Sequence, residues 1–213
     1  MARRLKLEIP GPDWRRTGET LREHGWKSLF APVLEAPAGL VVEIGFGRGE
    51  FLISQARRHP RIAYLGIELS YKRTLKMARR LARGDLVNLR LLHTSAELVV
   101  RPLLPERSVD AFWINFSDPW PKKRHARRRL MRAAFVRDLA HCLVPGGALH
   151  VATDHVPYAA QIHERLQGEG LLQNALAPAP WVPEIAGREP TTYELEWRAD
   201  GRPLHFFHYT RRE

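Results

Sequence analysis

The chain has 213 residues, 44% of them hydrophobic, one cysteine, a formal net charge of +11 and a pI near 10.5. That length fills a single domain core, the lone Cys142 excludes an internal disulfide and any cysteine-rich metal site, and no run approaches the ~18 apolar residues of a membrane span. The start, MARRLKLEIPGPDW, lacks the apolar stretch of a signal peptide, so a cytoplasmic protein is expected, and the arginine-rich excess makes nucleic acid the first partner to consider and an anionic membrane surface the second.

Residues 1–38 are rich in proline, glycine and charge, with Trp14 and Trp26 set among Arg15, Arg16, Arg22 and Lys27; this predicts a partly ordered basic arm ahead of one domain over 39–213. From Leu40 short β-rich runs alternate with helical stretches, the pattern of βαβ units and a mainly parallel, doubly wound α/β sheet. The predicted strands are LVVEIGF, AYLGIEL, LRLLH, VDAFWINF and ALHVAT. Between them FLISQARRH, YKRTLKMARRLAR and the stretch from Leu130 to Leu143 read as helices, the last carrying Cys142 as a packed residue. Gly146-Gly147 breaks the chain before the fifth strand; VPYAAQIHERLQGEG is one more helix, 175–183 a Pro/Ala loop, and LHFFHY a late antiparallel strand.

The first strand runs into Glu43-Ile44-Gly45-Phe46-Gly47-Arg48-Gly49, and glycines at such a strand end let a ligand approach the backbone. The spacing departs from the dinucleotide G-x-G-x-x-G, with Glu50 in the final position, where a pyrophosphate at a helix N-terminus would be repelled. S-adenosylmethionine has no phosphate and carries a sulfonium cation, which suits carboxylates near the turn. About 20 residues on, Glu68 ends the second strand, where it would either accept the hydroxyls of a ribose or serve as a helix cap. Ser95, after the third strand, is placed for an adenine-edge contact or for capping the next helix.

The fourth strand ends in Asn115-Phe116-Ser117-Asp118-Pro119-Trp120-Pro121-Lys122-Lys123-Arg124-His125, and its two prolines force a shaped loop. In a doubly wound sheet that loop lies beside the glycine turn, so Asp118 should face the sulfonium. From Pro119 to Arg137 there are eight Lys and Arg and no acid, read as a phosphate-binding rim or as a solvated face. Lys72, Lys76, Arg79 or Arg80, and Arg83 recur at helical spacing, again as an extension of that footprint or an ordinary solvated face.

The loop NFSDPWPKKRH, with EIGFGRGEF before it and TDH and TTYE after it, resembles the bacterial single-chain tRNA (guanine-N7)-methyltransferases, in the same order from about Val41 to the carboxyl terminus. The resemblance implies a class I, Rossmann-like fold with a seven-stranded sheet, S-adenosylmethionine as donor, and methylation of a variable-loop guanine (tRNA position 46), with no metal and no obligatory protein partner. By the same resemblance Glu43, Glu68, Ser95 and Asp118 line the cofactor pocket with Gly45, Gly47 and Gly49, and Asp118 is catalytic. Lys122, Asp154, Thr191, Thr192, Tyr193 and Glu194 match the substrate positions, and Arg124, His125, Arg127, Arg128 and Arg129 the RNA-contacting stretch. The family favours Asp or Asn where Ser95 stands. On local sequence Asp154 reads equally as a helix N-cap.

N7 of guanine has an in-plane lone pair and no proton, so its methylation calls for positioning, with carboxylates to orient the base and offset the charge that develops on it. Three other readings compete: a nicotinamide-dependent oxidoreductase, a methyltransferase for another RNA or atom, and a non-catalytic tRNA-binding module. The chain has no H-E-x-x-H pair and no G-x-S-x-G elbow.

Overall fold

The computed structural model describes residues 6–31 and 33–213. Its centre is a mainly parallel sheet built from β2 (Leu40–Ile44), β3 (Ala63–Glu68), β4 (Leu89–His93), β5 (Val109–Asn115) and β6 (Leu143–Thr153). A late strand, β8 (His205–Arg211), runs antiparallel to β6 and carries the short β7 (Leu172–Asn174) on its outer side. A two-residue strand, β1 (Arg15–Arg16), extends the opposite edge beside β4, giving the order β1-β4-β3-β2-β5-β6-β8-β7. Among the described residues the sheet thus has the seven expected strands and one more. β2 lies at its centre, and from it the chain winds first toward β3 and β4 and then toward β5 and β6. Ligands of open α/β sheets bind outside the strand carboxyl ends at such a switch point.

Helices cover both faces because each buries one apolar stripe. Helix α2 (Glu50–Arg58) turns Phe51, Leu52, Ile53 and Ala56 inward, and α3 (Tyr71–Leu81), capped by Ser70, buries Thr74, Leu75, Met77, Ala78 and Leu81. On the other face α4 (Val100–Leu103), α5 (Ala133–Cys142) and α6 (Val156–Gln167) pack with Phe112, Ile114, Phe207 and Tyr209 in the larger core. Cys142 lies in that core, fully buried. The expected break at Gly146-Gly147 is a register shift between β5 and β6, where Gly146 takes φ +75.

The stretch read as a partly ordered arm contributes more to the core than its composition indicates, although residues 1–5 lie outside the described residues. Helix α1 (Gly18–Ser28), capped by Thr17, turns sharply at Gly25 (φ +72) and places Leu21, Trp26, Leu29 and Phe30 in the larger core. Arg90 holds it there from within β4. Its guanidinium donates to the carbonyls of Leu29, Val87 and Leu89 and stacks between Trp14 and Phe30, with ring centroids 4.4 and 4.9 Å away. Burial lowers its pKa to about 10, so the charge is kept by backbone carbonyls and aromatic faces in place of an acid.

Candidate active site

At the carboxyl end of β2 the chain turns through Gly45, Gly47 and Gly49, with φ +77, +57 and +78. Left-handed backbone of this kind disfavours a Cβ, and at Gly49 a Cβ would also collide with Met77. Glu68, at the end of β3, fixes the turn: its two carboxylate oxygens accept the Gly47 N–H at 3.0 Å and the Ser70 N–H at 2.9 Å. Glu68 is buried and Ser70 is the N-cap of α3, so the capping reading of Glu68 falls away. A carboxylate has about four acceptor sites, and two here are engaged by backbone.

The turn borders a cavity of about 300 Å3. Glu43 lines it at 2% exposure, with Oε1 accepting from Asn115 Nδ2 at 3.0 Å and Oε2 buried without a partner. Burial pushes the Glu43 carboxyl up to about 7, against the opposing pull of the Asn115 hydrogen bond and the Arg188 charge. A buried carboxylate oxygen with no donor calls for a cation or a protonated ligand atom. The ammonium and sulfonium of S-adenosylmethionine meet that demand, and a pyrophosphate does not.

Across the cavity the loop after β5 is held in a strained shape. Phe116 and Trp120 sit at φ +56 and +41, conformations that cost about 1–3 kcal/mol each in a non-glycine residue. Arg129 opposes the strain by donating to the carbonyls of Pro119 at 2.8 Å and Trp120 at 3.4 Å, and to Gln161. Phe116 meets Trp197 and Phe206 edge-on. So anchored, the loop presents Asp118, exposed, at the cavity wall.

Asp154, after β6, lines the same cavity and pairs with Arg202 at 3.4 Å. It is not a helix cap, because His155 fills that position and accepts the Tyr158 N–H. Thr191, Thr192 and Tyr193 form a further wall at the start of α7 (Thr192–Ala199), where Thr191 and Glu194 make a capping box. The Tyr193 ring lies beside Trp197 and under the Arg48 guanidinium, 5.0 Å from the centroid.

Glu43, Gly45, Gly47, Asp118, Asp154 and Thr191 to Tyr193 therefore converge on one cavity. Others among the predicted residues, Gly49 and the buried Glu68 included, do not line its wall. Ser95 donates to the Glu97 carboxylate at the start of a short 3-10 turn. Lys122 is exposed on the loop beyond the cavity. Glu194 is buried, its carboxylate engaged by Arg188 and by Arg198 at 3.1 Å. In the basic stretch Arg127 is exposed, Arg128 stacks on Trp120 at 5.0 Å, Arg124 contacts His125, and Arg129 is drawn inward to the loop backbone. Among the described residues no group of three or more His, Cys, Asp or Glu is placed to hold a metal ion.

Two residues that sequence reasoning missed connect these parts. Arg188 is enclosed among Phe51, Trp113 and Phe206, bonds Glu194, and donates to Asn115 Oδ1 at 2.9 Å. Asn115 then donates to Glu43. The result is a continuous polar relay, Glu194 to Arg188 to Asn115 to Glu43, from the α7 wall to the cavity floor. Asn115 carried a signal, being the last residue of a strand at the switch point; Arg188 stands on an irregular loop with none.

The family model described as "Putative methyltransferase" matches residues 37–207. The chain is 38% identical over 187 residues to the tRNA (guanine-N(7)-)-methyltransferase of Thermus thermophilus, covering 88% of this chain but 58% of that protein. It is 36% identical over 192 residues to the tRNA (guanine-N(7)-)-methyltransferase of Halorhodospira halophila, covering 90% of this chain and 83% of that protein. The 16S rRNA methyltransferase KamB shares the fold, with a TM-score of 0.64 at 19% identity over 88% of this chain and 94% of that one. A family match over residues 37–207 and relatives at 36–38% identity over most of the chain show that the chain belongs to the tRNA (guanine-N(7)-)-methyltransferase family.

Proposed function

We propose that this chain transfers a methyl group from S-adenosylmethionine to N7 of a guanine in the variable loop of tRNA, forming 7-methylguanosine. The observation that carries the reading is the pairing, across one cavity, of a buried carboxylate oxygen lacking a donor (Glu43) with an exposed carboxylate at the mouth (Asp118), next to a loop whose outer side is cationic. The donor, when bound, supplies an electrophilic methyl on a sulfonium.

The residues of the chain position the reactants. Glu43 faces the cationic end of the donor, and the free acceptor sites of Glu68 suit a ribose. Ser95, engaged with Glu97, is the weakest of the proposed cofactor contacts. Asp118 orients the guanine at the mouth and offsets the positive charge that methylation puts on the purine; N7 needs no general base. Asp154 and the Thr191–Tyr193 wall hold the base edge, with Asp154 accepting an N–H of guanine. Glu194 acts one step back, fixing the wall through its capping box and its pair with Arg188. Lys122 and Arg124 to Arg128 supply phosphate contacts, and drawing the guanine out of its tertiary pairing costs a few kcal/mol that those contacts and stacking recover. A cytoplasmic location fits a tRNA substrate.

The test is incubation of the full chain with labelled S-adenosylmethionine and an unmodified tRNA transcript, followed by reductive strand scission at any 7-methylguanine. Scission within the variable loop is the expected result. Label on another atom would refute the site, and no transfer would refute the activity.

A further inference from the structure

A second cavity, of about 370 Å3, opens from the first. The two share Gly47, Arg48, Arg73 and Tyr193, and the second continues along α3 past Lys72, Lys76 and Arg80. Five of its lining residues are cations and none is an acid. Two of the five have a carboxylate in reach, Arg48 with Glu196 at 3.3 Å and Arg73 with Glu68 at 3.9 Å. Lys72, Lys76 and Arg80 have no ion-pair partner among the described residues, and all three are exposed.

A solvated helix face normally mixes signs, because like charges four residues apart repel. Helix α3, YKRTLKMARRL, contains no acid, and sets Lys72 against Lys76 and Lys76 against Arg80 at that spacing. Its amino-terminal end, at Ser70, opens onto the same cavity and adds the positive end of the helix dipole. An anion relieves all of these repulsions at once. From Lys72 to Arg80 the helix rises about 12 Å, longer than one phosphate and suited to successive phosphates of a chain.

We propose that this cavity is a second phosphate-binding site, holding the tRNA backbone on the side of the active-site crevice away from the 122–129 loop. The sheet order supports that placement: α3 follows β3 and the loop follows β5, and these strands flank β2 and its glycine turn. A guanine entering the crevice is then gripped through the backbone on both sides. The inference rests on the tRNA reading above.

The test compares wild type with the triple variant Lys72→Gln, Lys76→Gln, Arg80→Gln and with a charge-keeping control, Lys72→Arg, Lys76→Arg, Arg80→Lys. Binding of S-adenosylmethionine, methyl transfer to tRNA, and the salt dependence of tRNA binding are measured for each. The neutral variant is expected to bind S-adenosylmethionine as wild type does, to show a KM for tRNA raised about tenfold or more, and to lose roughly 2 from the log–log salt slope, at about 0.7 for each phosphate contact removed. The control should stay near wild type. An unchanged tRNA KM and salt slope, in an enzyme whose wild type methylates tRNA, would overturn this site and leave the proposed function standing. Loss of S-adenosylmethionine affinity with tRNA binding intact would overturn it too, by assigning the cations to the cofactor carboxylate. A wild type that neither binds nor methylates tRNA would remove both.

Discussion

Replacing Glu43 by Gln is expected to move stability and cofactor affinity in opposite directions. The folded carboxyl has a pKa of about 7 against an ordinary 4.5, so folding favours its protonated form. Below pH 4.5 the side chain is protonated whether the chain is folded or not, and its stability contribution is complete. As pH rises toward 7 the unfolded chain releases the proton and the folded chain holds it, so stability is lost across that window and is level above it. That difference corresponds to about 3 kcal/mol. A glutamine never ionises and keeps the Asn115 contact, so at pH 8 the ligand-free variant should melt roughly 5–10 °C above wild type, with the gap shrinking to a few degrees at pH 5. S-adenosylmethionine should bind the variant about 10- to 150-fold more weakly, the equivalent of losing one hydrogen bond to a charged group. Wild-type affinity should also fall about tenfold per unit below pH 7, as Glu43 must release its proton, and the variant should lack that slope. Thermal melts and calorimetric titration across pH 5 to 8 give all four quantities. A variant less stable than wild type at pH 8 without ligand, or one that binds the cofactor with unchanged affinity and pH slope, would refute the assignment of Glu43 as a buried acid awaiting a cation.

Arg188→Met leaves the Glu194 carboxylate with the partly exposed Arg198 and the Thr191 N–H, and should cost about 3–5 kcal/mol in urea unfolding; the double variant Arg188→Met, Glu194→Gln should recover most of it. Asp118→Asn, at an exposed position, should fold normally and bind S-adenosylmethionine nearly as wild type, with kcat on tRNA lowered roughly 100-fold in single-turnover transfer assays. Arg129→Gln removes the donors that hold the Pro119 and Trp120 carbonyls, and should lower kcat with a melting temperature within a few degrees of wild type. Arg90→Leu strands the Leu29 and Val87 carbonyls and frees Trp14 and Phe30, so limited proteolysis should cut within residues 14–30 before the rest of the domain.

The sheet was legible because its strands are buried on both faces, and such strands are written as apolar runs with glycine or proline at their ends; LVVEI, AYLGIE and VDAFWIN stand where their composition places them. The packing of residues 14–30 was hidden for the same reason in reverse. Trp14 and Phe30 are ordered by a buried arginine, and a charge inside a strand reads as an outward position until its stacking partners are known. At the cavity, acids at strand ends could be read because the switch point follows from topology. What could not be read is which acids are already engaged. Glu194 and Asp154 look alike in sequence, yet one is enclosed by two arginines and the other stands on the cavity wall, a difference decided by Arg188 on a loop without periodicity.

The identity of residue 115 follows from the same electrostatic logic. A lysine there would sit within reach of Glu43, hold it ionised and satisfy it, leaving the cavity floor no preference for a cationic ligand. An asparagine fixes one Glu43 oxygen by a neutral hydrogen bond and leaves the charge uncompensated. Arg188, close enough to pull on Glu43, has its own charge engaged by Glu194. Its guanidinium orients Asn115 and pulls on Glu43, but burial outweighs that pull and holds the carboxyl up at about 7. The relay gives the acid a fixed direction without neutralising it, and the missing charge is left for the ligand to bring.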